Sequence, residues 1–153
     1  MNLQFEKLLD PIGLKILSLL QENARTPVSR IGRKVGLSAP AVSERIKKLE
    51  DAGIIRGYHA RIAPEAVGRT VAAFINLTTD PRNYKSVKAL AAGMDQVTAC
   101  HHISGEASFI MHVQVEDLPA LEAVVARLSP FGKTQTAIVL STSVDKNAAV
   151  PLP

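Results

Sequence analysis

Two short apolar patterns of helical spacing meet within residues 27–49 of the sequence. The first ends at Gly36, a residue that tolerates the left-handed backbone found at helix ends. Ser38 and Pro40 are typical of the start of a second helix, and Leu37, between Gly36 and Ser38, should point inward. Apolar residues repeat every three or four positions along both helices: Val28, Ile31 and Val35, then Val42, Ile46 and Leu49. This stretch therefore predicts two helices joined by a tight turn.

The side of the second helix that faces away from its apolar stripe changes in character along its length. The first half is slim, with Pro40, Ala41 and Ser43 on this side. The end is basic, with Lys47 and Lys48. A slim N-terminal half can enter the major groove while cations farther along contact phosphates. The pattern therefore indicates a recognition helix for double-stranded DNA.

Charge favours this interpretation over a simpler one, in which Lys and Arg merely cover the solvent-exposed side of a helical hairpin. Between Arg25 and Lys48 there are seven cations and one acid, Glu44, whereas Lys and Arg outnumber Asp and Glu only 18 to 14 in the whole chain. We therefore expect DNA contacts from this region and from one arginine that follows it. The predicted DNA-binding residues are Arg25, Ser29, Arg30, Ser38, Ala39, Pro40, Ala41, Ser43, Glu44, Arg45, Lys47, Lys48 and Arg56.

A further helix and a short extended segment flank the predicted helical pair. Asp10 and Pro11 predict the start of the first helix, which should end near Asn23 and complete a small apolar core. Residues 54–62 read as a short extended segment or wing after the recognition helix. The N-terminal part is therefore expected to be a winged-type helix-turn-helix domain.

The pattern breaks at residues 63–68, and we place a domain boundary there, with domains at 1–63 and 64–153. In the second domain, strands and helices follow in the order strand, helix, strand, strand, helix, strand: 71–77, 83–93, 97–104, 109–115, 118–128 and 134–142. This order folds as a four-stranded antiparallel sheet with both helices on one face, the ferredoxin-like arrangement. The predicted fold class is therefore α+β.

The predicted sheet has a second face that nothing else in the sequence covers. Its strands carry more apolar residues than two helices can hide: Val71, Phe74, Ile103, Phe109, Met111, Val113, Ile138 and Leu140. A second copy packing sheet to sheet would bury this surface. We therefore expect a homodimer.

Composition narrows the class of protein further. The sequence pI is about 9.4, and the excess of cations lies in residues 1–68, with 11 cations and 7 acids, while residues 69–153 carry 7 of each. The single cysteine, Cys100, excludes an intrachain disulfide framework and fits a reducing compartment. No apolar run approaches the roughly 18 residues of a membrane span, and the N-terminal residues lack the order of a signal peptide. We expect a cytoplasmic protein without a membrane partner.

Metal binding and catalysis are both disfavoured. A hairpin turning at Gly105 could place His101 across from His112, but His101 and His102 face opposite ways in a strand, and two ligands do not make a metal site. The serines are not accompanied by a nucleophile turn, a glycine-rich phosphate loop or paired acids. The sequence therefore predicts no metal, no cofactor and no enzymatic activity.

The sequence resembles the Lrp/AsnC (leucine-responsive, feast/famine) family of transcription regulators. The matching residues of the first half are Leu9-Asp10, Lys15-Ile16-Leu17, Asn23-Ala24-Arg25, Val35-Gly36-Leu37-Ser38, Arg45-Ile46, Leu49-Glu50, Gly53-Ile54-Ile55 and Gly57-Tyr58 before Gly68. The chain departs from the family at Gly13, where a second Asp is usual, and at Gly32, where Ala is usual. Glycine inside a helix costs about 1 kcal/mol relative to alanine. These departures concern stability more than function.

The resemblance continues through Val97-Thr98, Cys100, Ser104-Gly105-Glu106 and Thr136-Ala137-Ile138-Val139-Leu140. It implies an effector-sensing domain, related in shape to the amino-acid-binding ACT domain, which dimerises and commonly assembles into octamers. It also implies a ligand, usually an amino acid, bound between dimers near a Gly-x-x-Asp turn, which here is Gly105–Ser108 with Ser in place of Asp and Ala107 in place of an aromatic residue. The candidate effector-binding residues are Ser104, Gly105, Glu106, Ala107, Ser108, Thr134 and Thr136.

We therefore expect a sequence-specific DNA-binding transcriptional regulator whose assembly or DNA affinity responds to a small metabolite, an amino acid. Two alternatives stay open at this point. One is a ligand-independent DNA-binding regulator or architectural protein. The other is a metabolite-sensing assembly module that does not bind DNA.

Overall fold

A computed structural model describes residues 7–145 of the chain. These residues divide into two compact units, one containing the residues up to Ala60 and the other formed by Arg61–Val144. Each unit has its own apolar core.

The first unit consists of three helices, with bounds close to the predicted ones. They are α1 (Pro11–Glu22), α2 (Val28–Val35) and α3 (Ala39–Asp51). Asp10 caps α1 by accepting a hydrogen bond from the Gly13 backbone N–H at 2.7 Å. Gly36 ends α2 with φ of 72°, the left-handed conformation expected from the sequence.

The core of the first unit is small and lies where the three helices meet. Its buried members are Ile16, Leu19, Ile31, Val42 and Leu49. Predicted core residues Val35 and Ile46 are half-buried against this cluster, as are Leu37 of the turn and Ile54 and Ile55 after α3. The turn between α2 and α3 is therefore held by the packing of Leu37 as well as by its backbone.

The two glycines that depart from the family pattern both lie where backbone segments approach closely. A Cβ atom at Gly13 would come within 1.9 Å of the Leu8 carbonyl oxygen, and one at Gly32 within 2.4 Å of the Leu37 carbonyl oxygen. The Leu37 N–H also donates to the Gly32 carbonyl at 3.0 Å, which closes the turn. Alanine at either position would overlap a backbone oxygen and force the chain to shift, so the expected helix-propensity cost is not the whole effect of these glycines.

The predicted extended segment at residues 54–62 contains no β-strand. A strand needs a hydrogen-bonded partner, and the four strands that the structure describes all belong to the sheet of the second unit. The segment is attached to the end of α3 by the backbone N–H groups of Ile54 and Ile55, which donate to the Leu49 carbonyl, and by the Tyr58 hydroxyl, which donates to Glu50 Oε1 at 2.8 Å. Residues 54–62 are therefore not part of a sheet within the described chain.

The second unit has the predicted order of elements. They are β1 (Val71–Thr79), α4 (Tyr84–Ala92), β2 (Val97–His102), β3 (Phe109–Val115), α5 (Leu118–Leu128) and β4 (Gly132–Ile138). The strands form one antiparallel sheet in the order β2-β3-β1-β4. The predicted last strand is too long, because it ends at Ile138 and not at residue 142.

The helices of the second unit cover more of the apolar strand residues than the sequence suggested. Phe109, Met111 and Val113 lie on the helix-covered face and are fully buried, together with Ile75 and Leu77 of β1. Strict alternation in β3, where every second residue is buried, shows which face the helices cover.

The face away from the helices, called the open face below, is defined by the alternate positions of the four strands: Ala72, Phe74, Asn76, Ile110, His112, Gln114, Ala99, His101, Gln135 and Ala137. Phe74 lies near its middle with 40% of its surface exposed, and its ring packs against the His112 ring at 4.9 Å between centroids. Thr98 Oγ1 donates to the His112 carbonyl at 3.1 Å and lies 2.6 Å from Nδ1 of the same residue. The open face is thus apolar at its centre and polar around it.

Across residues 7–145, none of the helices is both long enough and apolar enough to cross a membrane.

Candidate functional site

The outward side of α3 presents the predicted contact residues to solvent. Ser43, Glu44, Lys47 and Lys48 are exposed, and so is Pro40 in the first turn. Val42 and Leu49 on the opposite side are buried and fix the rotation of the helix about its axis. The sequence pattern correctly separates the two sides of α3.

Residues before and at the start of α2 add further polar and basic groups. Arg25, Ser29 and Arg30 are exposed, as is Arg56 beyond α3. Predicted contacts Ala39 and Ala41 are half-buried, so they offer little surface to a partner.

Ser38 serves as the N-cap of α3, as predicted. Its Oγ accepts a hydrogen bond from the Ala41 backbone N–H at 3.4 Å, a long bond. The serine therefore has a structural role at the helix start and is also exposed there.

Arg45, one of the predicted DNA contacts, has a partner within the protein. Its guanidinium forms a bidentate ion pair with the Asp10 carboxylate, with Nη1 and Nη2 each 2.9 Å from one oxygen. Both side chains are 32% exposed, so the pair is partly shielded from water. Arg45 therefore attaches α3 to the start of α1 and acts as a positioning residue. The sequence gives no local sign of this partner, because Asp10 lies 35 residues away.

The ion pair with Arg45 lowers the pKa of the Asp10 carboxyl group. Its pKa is lowered below the ordinary value of 3.8, first by the hydrogen bond from Arg45 and then by the backbone N–H of Gly13. The same carboxylate thus caps α1 and binds the side of α3. One ionised group connects two of the three helices.

Glu44 and Lys48 interact with each other on the exposed side of α3. Lys48 Nζ lies 2.7 Å from Glu44 Oε1, and this pairing lowers the pKa of the Glu44 carboxyl. Both side chains remain more than half exposed, so the pair can open at little cost when a phosphate competes for the lysine. Glu50 does not join the lysines but accepts from Tyr58, and burial together with Glu50 raises the pKa of Tyr58 to about 12.

The candidate effector turn at residues 103–108 connects β2 and β3 in the second unit. Thr78 Oγ1 donates to the Glu106 carbonyl at 3.1 Å, and the Ser108 N–H donates to the Leu77 carbonyl at 2.9 Å. These bonds join the turn to the end of β1. Gly105 has φ of 117°, which an L side chain rarely adopts.

Ser108 is engaged by the protein itself. Its Oγ donates to the Thr79 carbonyl at 3.0 Å and accepts from the Thr79 backbone N–H at 3.2 Å. The hydroxyl that replaces the usual aspartate therefore fastens the turn to β1 and has little capacity left for a ligand. Thr79, which sequence reasoning missed, is the residue to which the turn is attached.

The threonines of β4 lie at the same end of the sheet as the turn. Thr134 pairs with Leu77 across β1, and Leu77 pairs with Phe109 on the other side. Thr134 is half-buried and Thr136, two residues farther into the strand, is exposed. The sheet therefore brings the two groups of predicted effector residues to one end, with β1 between them.

The histidines of the second unit are not arranged as the hairpin argument suggested. His101 pairs with Ile110, and His112 pairs with Ala99, because the turn sets a register in which His102 pairs with Phe109. Within the described part of the chain there is no group of three or more His, Cys, Asp or Glu side chains that could hold a metal ion.

A helix-turn-helix with a solvent-exposed basic recognition helix, followed by an antiparallel sheet of ferredoxin-like order, defines a DNA-binding regulator with a second, regulatory unit. Comparison with known families agrees: residues 9–50 match the AsnC-type helix-turn-helix domain and residues 72–149 the Lrp/AsnC ligand binding domain. The chain belongs to the Lrp/AsnC family of transcriptional regulators.

Individual relatives cover nearly the full chain. The uncharacterized HTH-type transcriptional regulator YezC of Bacillus subtilis is 38% identical over 88% of this chain and 96% of its own length. The structure of B. subtilis LrpC superposes with a TM-score of 0.84 at 30% identity, covering 90% of this chain and 97% of LrpC. The structure of the feast or famine regulatory protein of Mycobacterium tuberculosis complexed with L-methionine superposes with a TM-score of 0.87 at 32% identity. The match covers 94% of this chain and 99% of that protein.

Proposed function

We propose that this regulator reads DNA with the exposed side of α3, assembles through its second unit, and responds to an amino acid bound at the turn between β2 and β3. It would act in the cytoplasm without catalysing a reaction, as is consistent with relatives that are named transcriptional regulators. The observation that carries the DNA-binding part is the solvent-exposed row on α3, opposite the side that packs in the core.

Contacts on α3 divide by chemistry into those that position the protein and those that read sequence. Lys47 and Lys48, near the end of the helix, suit phosphates, whereas Ser43 and Glu44 can reach base edges. Arg25 and Arg30 are further exposed cations for the backbone of the duplex. A pair of copies would place two such helices in successive major grooves, so the proposed target is a roughly palindromic site.

Lys47→Ala should weaken binding to all DNA sequences alike, because a phosphate contact carries no sequence information. The slope of log affinity against log salt concentration should flatten by about 0.9 for the lost phosphate. Fluorescence anisotropy with a selected site and a scrambled duplex, over a series of salt concentrations, measures both quantities.

Lys85→Ala is the matched control, since Lys85 is an exposed lysine of the second unit. If Lys47→Ala leaves affinity and salt slope the same as this control, α3 does not lie in a groove. Ser43→Ala should instead change the preference among sequences while leaving the salt slope unaltered.

The open face supports homo-oligomerisation. Phe74 is exposed at its centre, and Ala72, Ala137 and Ile110 extend the apolar surface around it. A dimer formed sheet to sheet would remove this surface from water. Association of dimers into octamers, as the family resemblance implies, is part of the proposal.

Support for an amino-acid effector comes from the turn and from relatives. Two solved structures of relatives hold L-methionine, the M. tuberculosis protein and a transcriptional regulator of Neisseria meningitidis that is 30% identical to this chain. Here the turn offers the exposed Glu106 carboxylate and the backbone of Gly105, and β4 offers the hydroxyl of Thr136, two residues from Thr134. A carboxylate can hold the ammonium group of an amino acid, and a hydroxyl can donate to its carboxylate.

Glu106→Gln together with Thr136→Val should abolish any effect of amino acids on oligomer size while leaving the DNA affinity of the unliganded protein within a factor of about three. Both side chains are exposed, so the double variant should fold as the parent does. Sedimentation velocity with and without a panel of amino acids measures the response. Ser108→Ala is unsuitable for this test, because it removes the attachment of the turn to Thr79 whether or not a ligand binds there.

An amino-acid response that persists in the double variant would place the sensor elsewhere. A parent protein that ignores every amino acid would support the alternative of a ligand-independent regulator. The engagement of the Ser108 hydroxyl by Thr79 favours that alternative, since it leaves the turn without a free side chain at the position of the usual aspartate.

A further inference from the structure

A groove with a volume of about 330 Å³ lies on the helix-covered side of the sheet, between α4 and the edge strand β2. Ala92 lies on its helix side, Val97 and Cys100 on its strand side, and Phe109 reaches it from β3. Since liquid water occupies about 30 Å³ per molecule, the groove can hold a molecule of about ten heavy atoms. It is large enough for a small ligand and mostly apolar.

The polar groups around the groove are few and have one sign of charge. Among the described residues that line it, Lys88 carries the formal charge and no carboxylate is present. Burial raises the pKa of the Cys100 thiol, and the charge of Lys88 opposes that rise only in part. The thiol is therefore protonated at neutral pH and behaves as an apolar wall.

This chemistry selects among small molecules. An apolar tail would be buried against Ala92, Val97 and Phe109, while a carboxylate would reach the Lys88 ammonium at the rim. A ligand ammonium group would have no anionic partner among the described lining residues and would lose hydration on entry. We propose that the groove between α4 and β2 binds a short carboxylic acid that has an apolar tail and no ammonium group.

The groove adjoins the candidate effector turn, because His102 and Phe109 flank that turn on either side. It opens on the helix-covered side, where Tyr84, His102 and Phe109 form a cluster of rings with centroids 4.7–5.2 Å apart. Its ligand differs from an amino acid by the absence of the ammonium group. The proposal therefore does not depend on amino-acid binding at the turn.

The single cysteine of the chain gives a local measurement of occupancy. The full-length protein is alkylated with N-ethylmaleimide, and the rate at Cys100 is followed by mass spectrometry against increasing 4-methylpentanoate. Its amide and L-leucine serve as matched probes that lack the charge or add the ammonium. We expect 4-methylpentanoate to slow the reaction, and the amide and L-leucine to need about fivefold higher concentrations for equal protection.

Two variants test the named contacts, each normalised to its own unliganded rate. Lys88→Met should raise the half-protecting concentration of 4-methylpentanoate about threefold to fivefold, whereas Lys85→Met, on the same helix but outside the groove, should change it less than about twofold. Isothermal titration calorimetry of the parent and of Lys88→Met should give the same ratio without using the thiol.

Equal protection by the acid and the amide would overturn the charge assignment and with it the proposal. The proposal would also be overturned if 4-methylpentanoate neither protected Cys100 nor gave calorimetric binding up to about 20 mM, since a weaker affinity would not be specific binding. Loss of the amino-acid response in Glu106→Gln with Thr136→Val tests the turn separately, so failure of one site is distinguishable from failure of the other.

Discussion

Phe74→Asp is expected to dissociate the proposed homodimer into monomers, with the dissociation constant of the dimer rising at least about 100-fold. Phe74 lies at the centre of the open face, on the strand that pairs on both sides, and 40% of its surface is exposed. In a two-fold interface each substitution appears twice, so two carboxylates would be brought together in an apolar setting. Burying such charges without partners costs several kcal/mol, about the stabilisation that one large apolar anchor supplies. Sedimentation equilibrium over a range of protein concentrations measures the change.

Leu118→Asp is the matched control, because Leu118 is a large apolar residue with 57% of its surface exposed at the start of α5, away from the open face. It should leave the dissociation constant unchanged. A dimer of Phe74→Asp as tight as that of Leu118→Asp would show that the copies associate through another surface. A charge at Met111 cannot serve here, because that side chain is fully buried beneath the helices and its replacement would unfold the unit.

Arg45→Met is expected to destabilise the first unit by about 1–2 kcal/mol, an amount between the values of exposed and fully buried ion pairs. The substitution keeps most of the apolar stem and removes both hydrogen bonds from Arg45 to Asp10, leaving that partly buried carboxylate without its ionic partner. Urea denaturation followed by circular dichroism gives the free energy of unfolding. Lys47→Met, an exposed change on the same helix, should leave this stability unchanged and weaken DNA binding instead.

The pH dependence of stability tests whether loss of the ion pair causes the destabilisation of Arg45→Met. The pKa of Asp10 in the folded protein is lowered below 3.8, chiefly by Arg45, so its contribution to stability is fully present above about that pH and is lost as pH falls through the folded pKa. The difference in stability between the parent and Arg45→Met should therefore narrow below pH 3.8. Asp10→Asn keeps a capping oxygen for α1 and should remove the same pH dependence. A difference that stays constant with pH would mean that Arg45 stabilises α3 by packing alone.

Local patterns in the sequence predict most of the helices and strands, because each depends on spacing within about a dozen residues. Gly36, Ser38 and Pro40 mark boundaries by their own backbone preferences, and the structure follows them. The segment at 54–62 forms no β-strand in the described chain, for a nonlocal reason. Whether a short apolar run becomes a strand depends on a partner, and its own residues do not supply one.

Partners distant in sequence account for the other differences. Alternation in β3 defines two sets of residues, but it does not say which set the helices cover, and so the sequence alone could not assign Met111 and Val113 to the helix-covered face. In the same way, the flank position of Arg45 and the hydroxyl of Ser108 read as free binding groups. Their partners, Asp10 and Thr79, lie 35 and 29 residues away and become visible only once the chain is folded.

Two contacts from Thr98 hold the His112 side chain on the open face. Thr98 Oγ1 lies 3.1 Å from the His112 carbonyl oxygen and 2.6 Å from Nδ1, so Nδ1 is engaged within the chain and Nε2 is the ring nitrogen left for a partner. In the proposed dimer, a second copy laid over this face would have to hydrogen-bond Nε2 or leave it desolvated, and the polar side chains that the same face offers are Asn76, His101, Gln114 and Gln135. Of the many rotations at which two apolar sheets can stack, the imidazole would favour those that place a polar side chain of one copy over the ring of the other.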